Sequence, residues 1–241
     1  MSLDINQRLA ELRRLMKEEH LSAFIFPSTD AHNGEYIPEH WAGREWISGF
    51  NGSAGTAVVT MDKAALWTDS RYFLAAADQL KDTEFVLMKD KLAETPSITK
   101  WLGIQLAHSD RAEVGLDGLV NSQNAVETFV NELRREGGIT VRTNIDPLSR
   151  IWKDRPEIPA NKVFVQPMEF AGESCNHKIR RIREQLRTLH TDGMLVSALD
   201  DVAWTLNLRG NDVHCNPVFV AYLLIDSKKA VLYINRDKLT D

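Results

Sequence analysis

The sequence predicts an α/β protein built from two tandem units, each a mixed sheet flanked by helices, with the second unit truncated. Three observations carry this. Short strand-like runs alternate with amphipathic helical stretches. The opening order of patterns returns after a proline-rich stretch. The 241 residues are 43% hydrophobic and 26% charged, an ordinary balance for a globular chain, which excludes disorder, collagen and coiled coil.

In the first copy, Ile5, Leu9, Leu12, Leu15 and Met16 form one apolar stripe, preceded by Asp4 with Gln7 three residues on as a capping box. The run Ala23-Phe24-Ile25-Phe26 reads as a buried strand stopped by Pro27-Ser28, and residues 29–45 as a polar stretch. Trp46-Ile47-Ser48 leads into a glycine-rich turn, then two strands, residues 56–60 and 64–68, joined by Asp62-Lys63. Residues 72–80 are helical in pattern and 85–88 strand-like. Thr95-Pro96 supplies an N-cap and N1 proline for a helix to Leu106. A strand at 113–116, a helix at 122–135 stopped by Gly137-Gly138, and a strand at 139–143 complete the unit, placing a first domain at 1–146.

Four of the eight prolines, Pro147, Pro156, Pro159 and Pro167, lie in the next stretch, so 147–167 reads as a linker anchored by Ile151 and Trp152. The second unit, 168–241, repeats the opening: a stripe of Ile179, Ile182, Leu186 and Leu189, then the strand Gly193-Met194-Leu195-Val196. Trp204 and Gly210 each fall 158 positions after Trp46 and Gly52. Paired strands at 218–225 and 230–234 answer those at 56–60 and 64–68. The first copy runs on for some 70 residues beyond that point and the second does not. The chain is therefore expected to be part of something longer, or to need a partner over an exposed sheet edge.

A net charge of −5 gives no electrostatic case for a nucleic-acid or anionic-membrane partner. The longest apolar run is eight residues, far from the roughly 20 that span a bilayer. No signal peptide is visible, and Cys175 and Cys215 are too few for a disulfide framework, so the expected location is cytoplasmic.

The densest polar cluster, Ser28 to Tyr36, holds Asp30, His32 and Glu35, which suit metal ligation or acid–base work. The alternative is a surface loop bonding to backbone or to a subunit partner. Gly49-Phe50-Asn51-Gly52-Ser53-Ala54-Gly55 is no phosphate loop: a β-branched strand follows it rather than Lys-Ser/Thr and a helix. Its glycines are expected to permit positive φ and close backbone approach between strands. Asp69 is placed to cap the helix after its strand, and Arg71 to reach an acidic group elsewhere. The helix with His177, Lys178, Arg180, Arg181, Arg183 and Arg187 is basic over an apolar stripe and reads as a solvated face. His214-Cys215 lacks a second ligand pair, and no H-E-x-x-H occurs. The six tryptophans read as core or interface anchors.

Together these motifs resemble a known family. Pro27-Ser28-x-Asp30-x-His32-x-x-Glu35-Tyr36, Ser48-Gly49-Phe50-x-Gly52-Ser53-Ala54-Gly55 and Leu66-Trp67-Thr68-Asp69-x-Arg71-Tyr72-Phe73 look like the first domain of the Xaa-Pro aminopeptidases, in the creatinase/prolidase-like metallopeptidase family. Leu199-Asp200-x-x-Ala203-Trp204-x-x-Asn207-Leu208-Arg209-Gly210-x-Asp212-Val213 and Asn216-Pro217-Val218-Phe219 are similar to the second domain of its three-domain form. Ser70 departs from a usual glycine.

The resemblance implies two creatinase-N-like domains that assist dimerisation and enclose the active-site cleft of an enzyme removing the residue before a proline. It also implies that two divalent metals, usually manganese, sit in a third, catalytic domain absent from this sequence, so no catalytic or metal-binding residue is assigned here. Asp30, His32, Glu35 and Arg71 are then expected at interdomain or intersubunit contacts, displayed rather than buried. The expected partners are the catalytic domain, a second subunit and, through the whole enzyme, peptides with proline second. The alternatives are a free-standing binding or dimerisation module of this fold, or a small hydrolase using Asp30, His32 and Glu35 itself.

Overall fold

The computed structural model describes residues 4–240, which divide into two units: 4–35 with 41–156, and 36–40 with 157–240. None of the described helices is long and apolar enough to cross a membrane.

The first unit opens with α1 (Ile5–Glu18), started by the predicted capping box: Asp4 accepts from the Gln7 amide while the Gln7 side chain accepts from the Asp4 amide. It buries Leu9, Leu12, Leu15 and Met16. Next come β1 (Ala23–Phe26), a 3₁₀ turn at Glu39–Trp41, α2 (Gly43–Ser48), β2 (Thr56–Thr60), β3 (Ala64–Thr68) and a 3₁₀ turn at Ser70–Tyr72. The unit continues with α3 (Phe73–Gln79), β4 (Phe85–Lys89), α4 (Ile98–Gln105), β5 (Glu113–Leu116), α5 (Gln123–Arg135), β6 (Thr140–Arg142) and α6 (Leu148–Ile151).

The six strands form one mixed sheet in the order β4-β3-β2-β1-β5-β6. β2 is antiparallel to both of its neighbours, β1 and β3, and the β3–β4, β1–β5 and β5–β6 pairs are parallel. Alternation divides β1 between two cores. Phe24 and Phe26 meet Leu12, Ile47, Val59 and Leu66 on the α1–α2 side. Ala23 and Ile25 meet Val58, Trp67, Trp101 and Leu133 on the α4–α5 side. A strand covered on both faces is continuously apolar, as this one is.

Several expected boundaries move. The helix expected from Thr95-Pro96 begins at Ile98, because the Ser97 hydroxyl accepts from the Lys100 amide and takes the cap. The 72–80 helix is a 3₁₀ turn capped by Asp69, then α3. The polar stretch to residue 45 hides the start of α2, which buries Arg44, Trp46 and Ile47. Past Pro147, Leu148 and Ile151 pack into the first core, and Trp152 stacks on Trp46 with ring centroids 5.2 Å apart.

The second unit contains β7 (Phe164–Val165), α7 (Met168–Ala171), α8 (Cys175–Thr188), β8 (Gly193–Val196), α9 (Leu199–Leu206), β9 (Leu208–Arg209), β10 (Ala221–Asp226) and β11 (Ala230–Ile234). Its opening reproduces that of the first unit at an offset of 170. α1 and α8 are both 14 residues, β1 and β8 both four. His20 and His190 both take left-handed φ, 57° and 53°, at the turn between helix and strand.

The sheet β11-β10-β8 is antiparallel throughout and corresponds to β3-β2-β1, with Leu223 opposite Val196 as Ala57 is opposite Phe26. β7 and β9 form a separate antiparallel pair. The expected strand at 218–225 begins at Ala221 instead. Residues 218–220 are held by Asp212, which donates its amide to the Val218 carbonyl and accepts from the Val220 amide.

One face of this sheet packs on α8 and α9 through Ile179, Leu186, Val196, Val202, Phe219 and Leu223. On the other, Leu195 is 61% exposed where its counterpart Ile25 is 1% exposed. The first unit covers that face with α4 and α5, elements that follow β3 and have no counterpart among the described residues of the second. Trp204 is another exception to the anchoring expectation: its ring is 45% exposed, with the Lys178 amine 4.1 Å from its centre.

Two buried cations hold the second unit. The Lys178 amine donates to the Trp204 carbonyl at 2.8 Å and to Asn207 Oδ1 at 2.7 Å, satisfying the C-terminus of α9. Desolvation pushes its pKa down. Lys238 pairs with Asp212 at a fully buried position.

Candidate functional site

The conspicuous polar residues of the first unit lie in the loop after β1, the glycine-rich loop before β2 and the turn after β3. β1 and β3 both run antiparallel to β2, so all three segments emerge at the same end of the sheet.

Asp30 is only 2% exposed. Its Oδ1 accepts from the His32 and Gly34 amides, both at 2.9 Å, and Asn33 turns left-handed at φ 55°. Its Oδ2 is buried without a hydrogen-bond partner. This is an aspartate folding its own loop, as short polar side chains do in turns. His32 is also buried, whereas Glu35 is exposed. The expectation that all four residues are displayed is thus corrected for Asp30 and His32: their loop turns inward because the carboxylate must satisfy its backbone amides.

Arg71 is exposed, and its fork closes on its own turn: Nε donates to Asp69 Oδ1 at 2.9 Å and Nη2 to Oδ2 at 2.8 Å. Asp69 also accepts from the Arg71 amide at 3.0 Å, giving it the predicted capping role. The Arg71 side chain holds the Asp69 carboxyl down to about 2. Asp69, and to a smaller degree Glu35, pushes the guanidinium pKa up. Arg71 also lies over the Tyr72 ring, 5.2 Å from its centre, and the Tyr72 hydroxyl bonds Ser53 Oγ at 2.8 Å. That hydrogen bond lowers the phenol pKa.

The residue that organises this end is Arg44, which the sequence reading passed over. Its guanidinium is buried without an ion pair among the described residues. Nε donates to Ser28 Oγ at 2.9 Å, Nη2 to the Gly52 carbonyl at 2.5 Å and Nη1 to the Phe50 carbonyl. Desolvation lowers its pKa to about 10. Ser28 Oγ donates onward to the Gly55 carbonyl at 2.6 Å and Thr68 Oγ1 to the Ala54 carbonyl at 2.6 Å. The glycine-rich loop is therefore pinned through its carbonyls. A Cβ on Gly52 would stand 2.3 Å from the Phe50 ring, and Gly49 turns at φ 75°, so both glycines are required there. The available signal was one arginine among Trp41, Trp46 and Ile47, on the apolar side of a short helix.

A neighbouring cleft of about 410 Å³ opens at the carboxyl ends of the parallel pair β3–β4. Asp69, Asp90, Lys91 and Glu132 line it, and Glu132 Oε2 accepts from Thr99 Oγ1 at 2.9 Å. Among the described residues no three His, Cys, Asp or Glu side chains gather as a metal-binding group. The arrangement presents ion pairs and a braced loop.

Comparison with known proteins agrees with these two units. The model described as creatinase/prolidase N-terminal domain matches residues 8–142, and a second model of the same description matches 154–241. A probable Xaa-Pro aminopeptidase P of Fusarium vanettenii is 43% identical over 99% of this chain and 38% of its own length. Xaa-Pro aminopeptidase 1 of Dictyostelium discoideum is 39% identical over 98% of the chain and 39% of its own length. The crystal structure of an X-prolyl aminopeptidase from Caenorhabditis elegans, described as a cytosolic enzyme with a di-nuclear active site, superposes with a TM-score of 0.90 at 30% identity. It covers all of this chain, which spans 40% of that one. The resemblance read from the motifs thus extends over the whole length, and the chain belongs to the creatinase/prolidase N-terminal domain family, with two such domains in tandem.

Proposed function

We propose that this chain is the non-catalytic N-terminal region of a cytoplasmic Xaa-Pro aminopeptidase, the enzyme that removes the residue preceding a proline. The observation that carries the reading is the superposition of all its described elements on two fifths of a full-length X-prolyl aminopeptidase, both units included. In this reading the two divalent metals, manganese by family resemblance, belong to a C-terminal catalytic domain, and no residue of this chain ligates them. Its units serve assembly: they support the subunit pair and help enclose the cleft that admits a peptide with proline second. Glu35 and Arg71, exposed at one end of the first sheet, are the proposed contacts, while Asp30 and His32 shape the loop that carries Glu35.

The test compares two proteins. The polypeptide extended through its downstream coding sequence should release the N-terminal residue of an Xaa-Pro peptide with manganese, and residues 1–241 alone should not. Turnover by residues 1–241, or a downstream sequence without a metal-binding domain, would overturn the proposal and favour the small-hydrolase or free-standing-module reading respectively.

A further inference from the structure

The sequence contains two Asn-Gly pairs, Asn33-Gly34 and Asn51-Gly52, and the fold treats them oppositely. In such a pair the glycine amide nitrogen is positioned to attack the asparagine Cγ, with no glycine Cβ to hinder it. Both asparagines are exposed. What separates them is the state of the attacking amide.

At the first pair that amide is engaged. The Gly34 N–H donates to Asp30 Oδ1 at 2.9 Å, and Asp30 is itself buried. Attack requires the nitrogen to lose its proton, which breaks this hydrogen bond and develops negative charge against a carboxylate. Asp30 therefore shields Asn33.

At the second pair the peptide units on either side are held and the one between them is not. The Phe50 and Gly52 carbonyls both accept from the Arg44 guanidinium, and the Asn51 amide donates to Gln79 Oε1 at 3.0 Å. The unit joining Asn51 to Gly52 makes no hydrogen bond among the described residues, through either its carbonyl or its N–H. Gln79 orients the Asn51 side chain, its Nε2 donating to Asn51 Oδ1 at 2.8 Å. That donor sits on the oxygen where negative charge develops when Cγ is attacked, as an oxyanion-stabilising group does.

We propose that Asn51 is a self-modification site: it deamidates through a cyclic imide with Gly52, while Asp30 keeps Asn33 intact. The Gly52 nitrogen bonds to Asn51 Cγ, the Cγ–Nδ2 bond breaks, and Nδ2 leaves as ammonia, taking up the glycine amide proton. Water then opens the ring at either carbonyl, giving aspartate or isoaspartate. Either product places a new carboxylate in the loop that Arg44 holds, and isoaspartate also lengthens its main chain.

The experiment ages the intact protein at mildly alkaline pH in water labelled with heavy oxygen and follows both asparagines by peptide mapping and mass spectrometry. The same is done for Asp30→Ala and for the protein unfolded in urea. In the folded protein, label should enter at residue 51, partly as isoaspartate, roughly ten-fold or more faster than at residue 33, the margin a hydrogen bond to a charged group supplies. In Asp30→Ala, residue 33 should gain a similar factor while residue 51 keeps its rate, which separates loss of the shield from general loosening. In urea the two rates should converge. Equal rates at both sites in the folded protein overturn the proposal, as does an unreacted residue 51 where the unfolded chain reacts at both. An Asp30→Ala variant that speeds both sites alike, or neither, overturns the shield.

Discussion

Arg44 donates from Nη2 to the carbonyl oxygen of Gly52 at 2.5 Å, and through this contact a buried cation is satisfied by main chain instead of by a carboxylate. Removing the guanidinium leaves the Phe50 and Gly52 carbonyls and the Ser28 hydroxyl without their donor. At about 1–3 kcal/mol for each group left unsatisfied, reduced by partial relaxation, Arg44→Met should cost about 2–4 kcal/mol. Urea denaturation measures this, and limited proteolysis should find new cleavage within residues 49–55. Unchanged stability would remove Arg44 from its organising role.

Asp30 offers a contrast between folding and chemistry. Asp30→Ala strips the acceptor from the His32 and Gly34 amides and should lose about 1–3 kcal/mol. Asp30→Asn keeps an oxygen for those amides and should retain most of the stability. If the proposed aminopeptidase reading holds, the Asn variant of the extended protein should also keep its activity, because Asp30 acts by shaping the loop. A large loss of kcat with normal stability in Asp30→Asn would assign it a chemical role.

The Asp69–Arg71 pair sets a pH dependence. Asp69 titrates at about 2 in the folded chain, below its unfolded value, so the unfolded state takes up protons first as the solution is acidified. Its contribution is present above the unfolded carboxylate range, near pH 4, and is lost as pH falls toward 2. Asp69→Asn should flatten the stability–pH curve in that window and leave neutral pH little changed, since exposed pairs add little there. Arg71→Ala in the intact protein should raise KM or shift the subunit equilibrium, read by steady-state kinetics and sedimentation. Unchanged values in both would remove Arg71 from the proposed contacts.

In the second unit, Lys238 and Asp212 form a buried pair that also binds the Val220 amide and the Asn161 side chain. Breaking it from one side strands a buried charge, so Lys238→Met and Asp212→Asn should each cost about 3–5 kcal/mol. The double variant should be less destabilised than the sum of the two, a coupling that thermal denaturation of all four proteins resolves. Strict additivity would mean that the two charges do not interact.

Legibility in the sequence followed locality. The capping box at Asp4, the buried stripe of α1, the central strand Ala23–Phe26 and the Asp69 cap are patterns within four residues, and each formed as read. Boundaries shifted where two local signals competed, as Pro96 and Ser97 do at the start of α4, and where a distant side chain intervened, as Asp212 does before β10. Of the polar cluster after β1, the sequence showed the residue types but not that Asp30 and His32 point inward.

Hydrophobic periodicity and turn chemistry, both properties of near neighbours along the chain, were enough to determine the two α/β units, their repetition and the positions of most helices and strands. Tertiary structure alone decided which strands lie side by side, that Arg44 is buried against the glycine-rich loop, and that Arg13 meets Glu84. Each of these depends on which long-range carbonyl or carboxylate lies within about 3 Å of a side chain. That distance follows from how the sheet is ordered and twisted, and no spacing along the sequence encodes it.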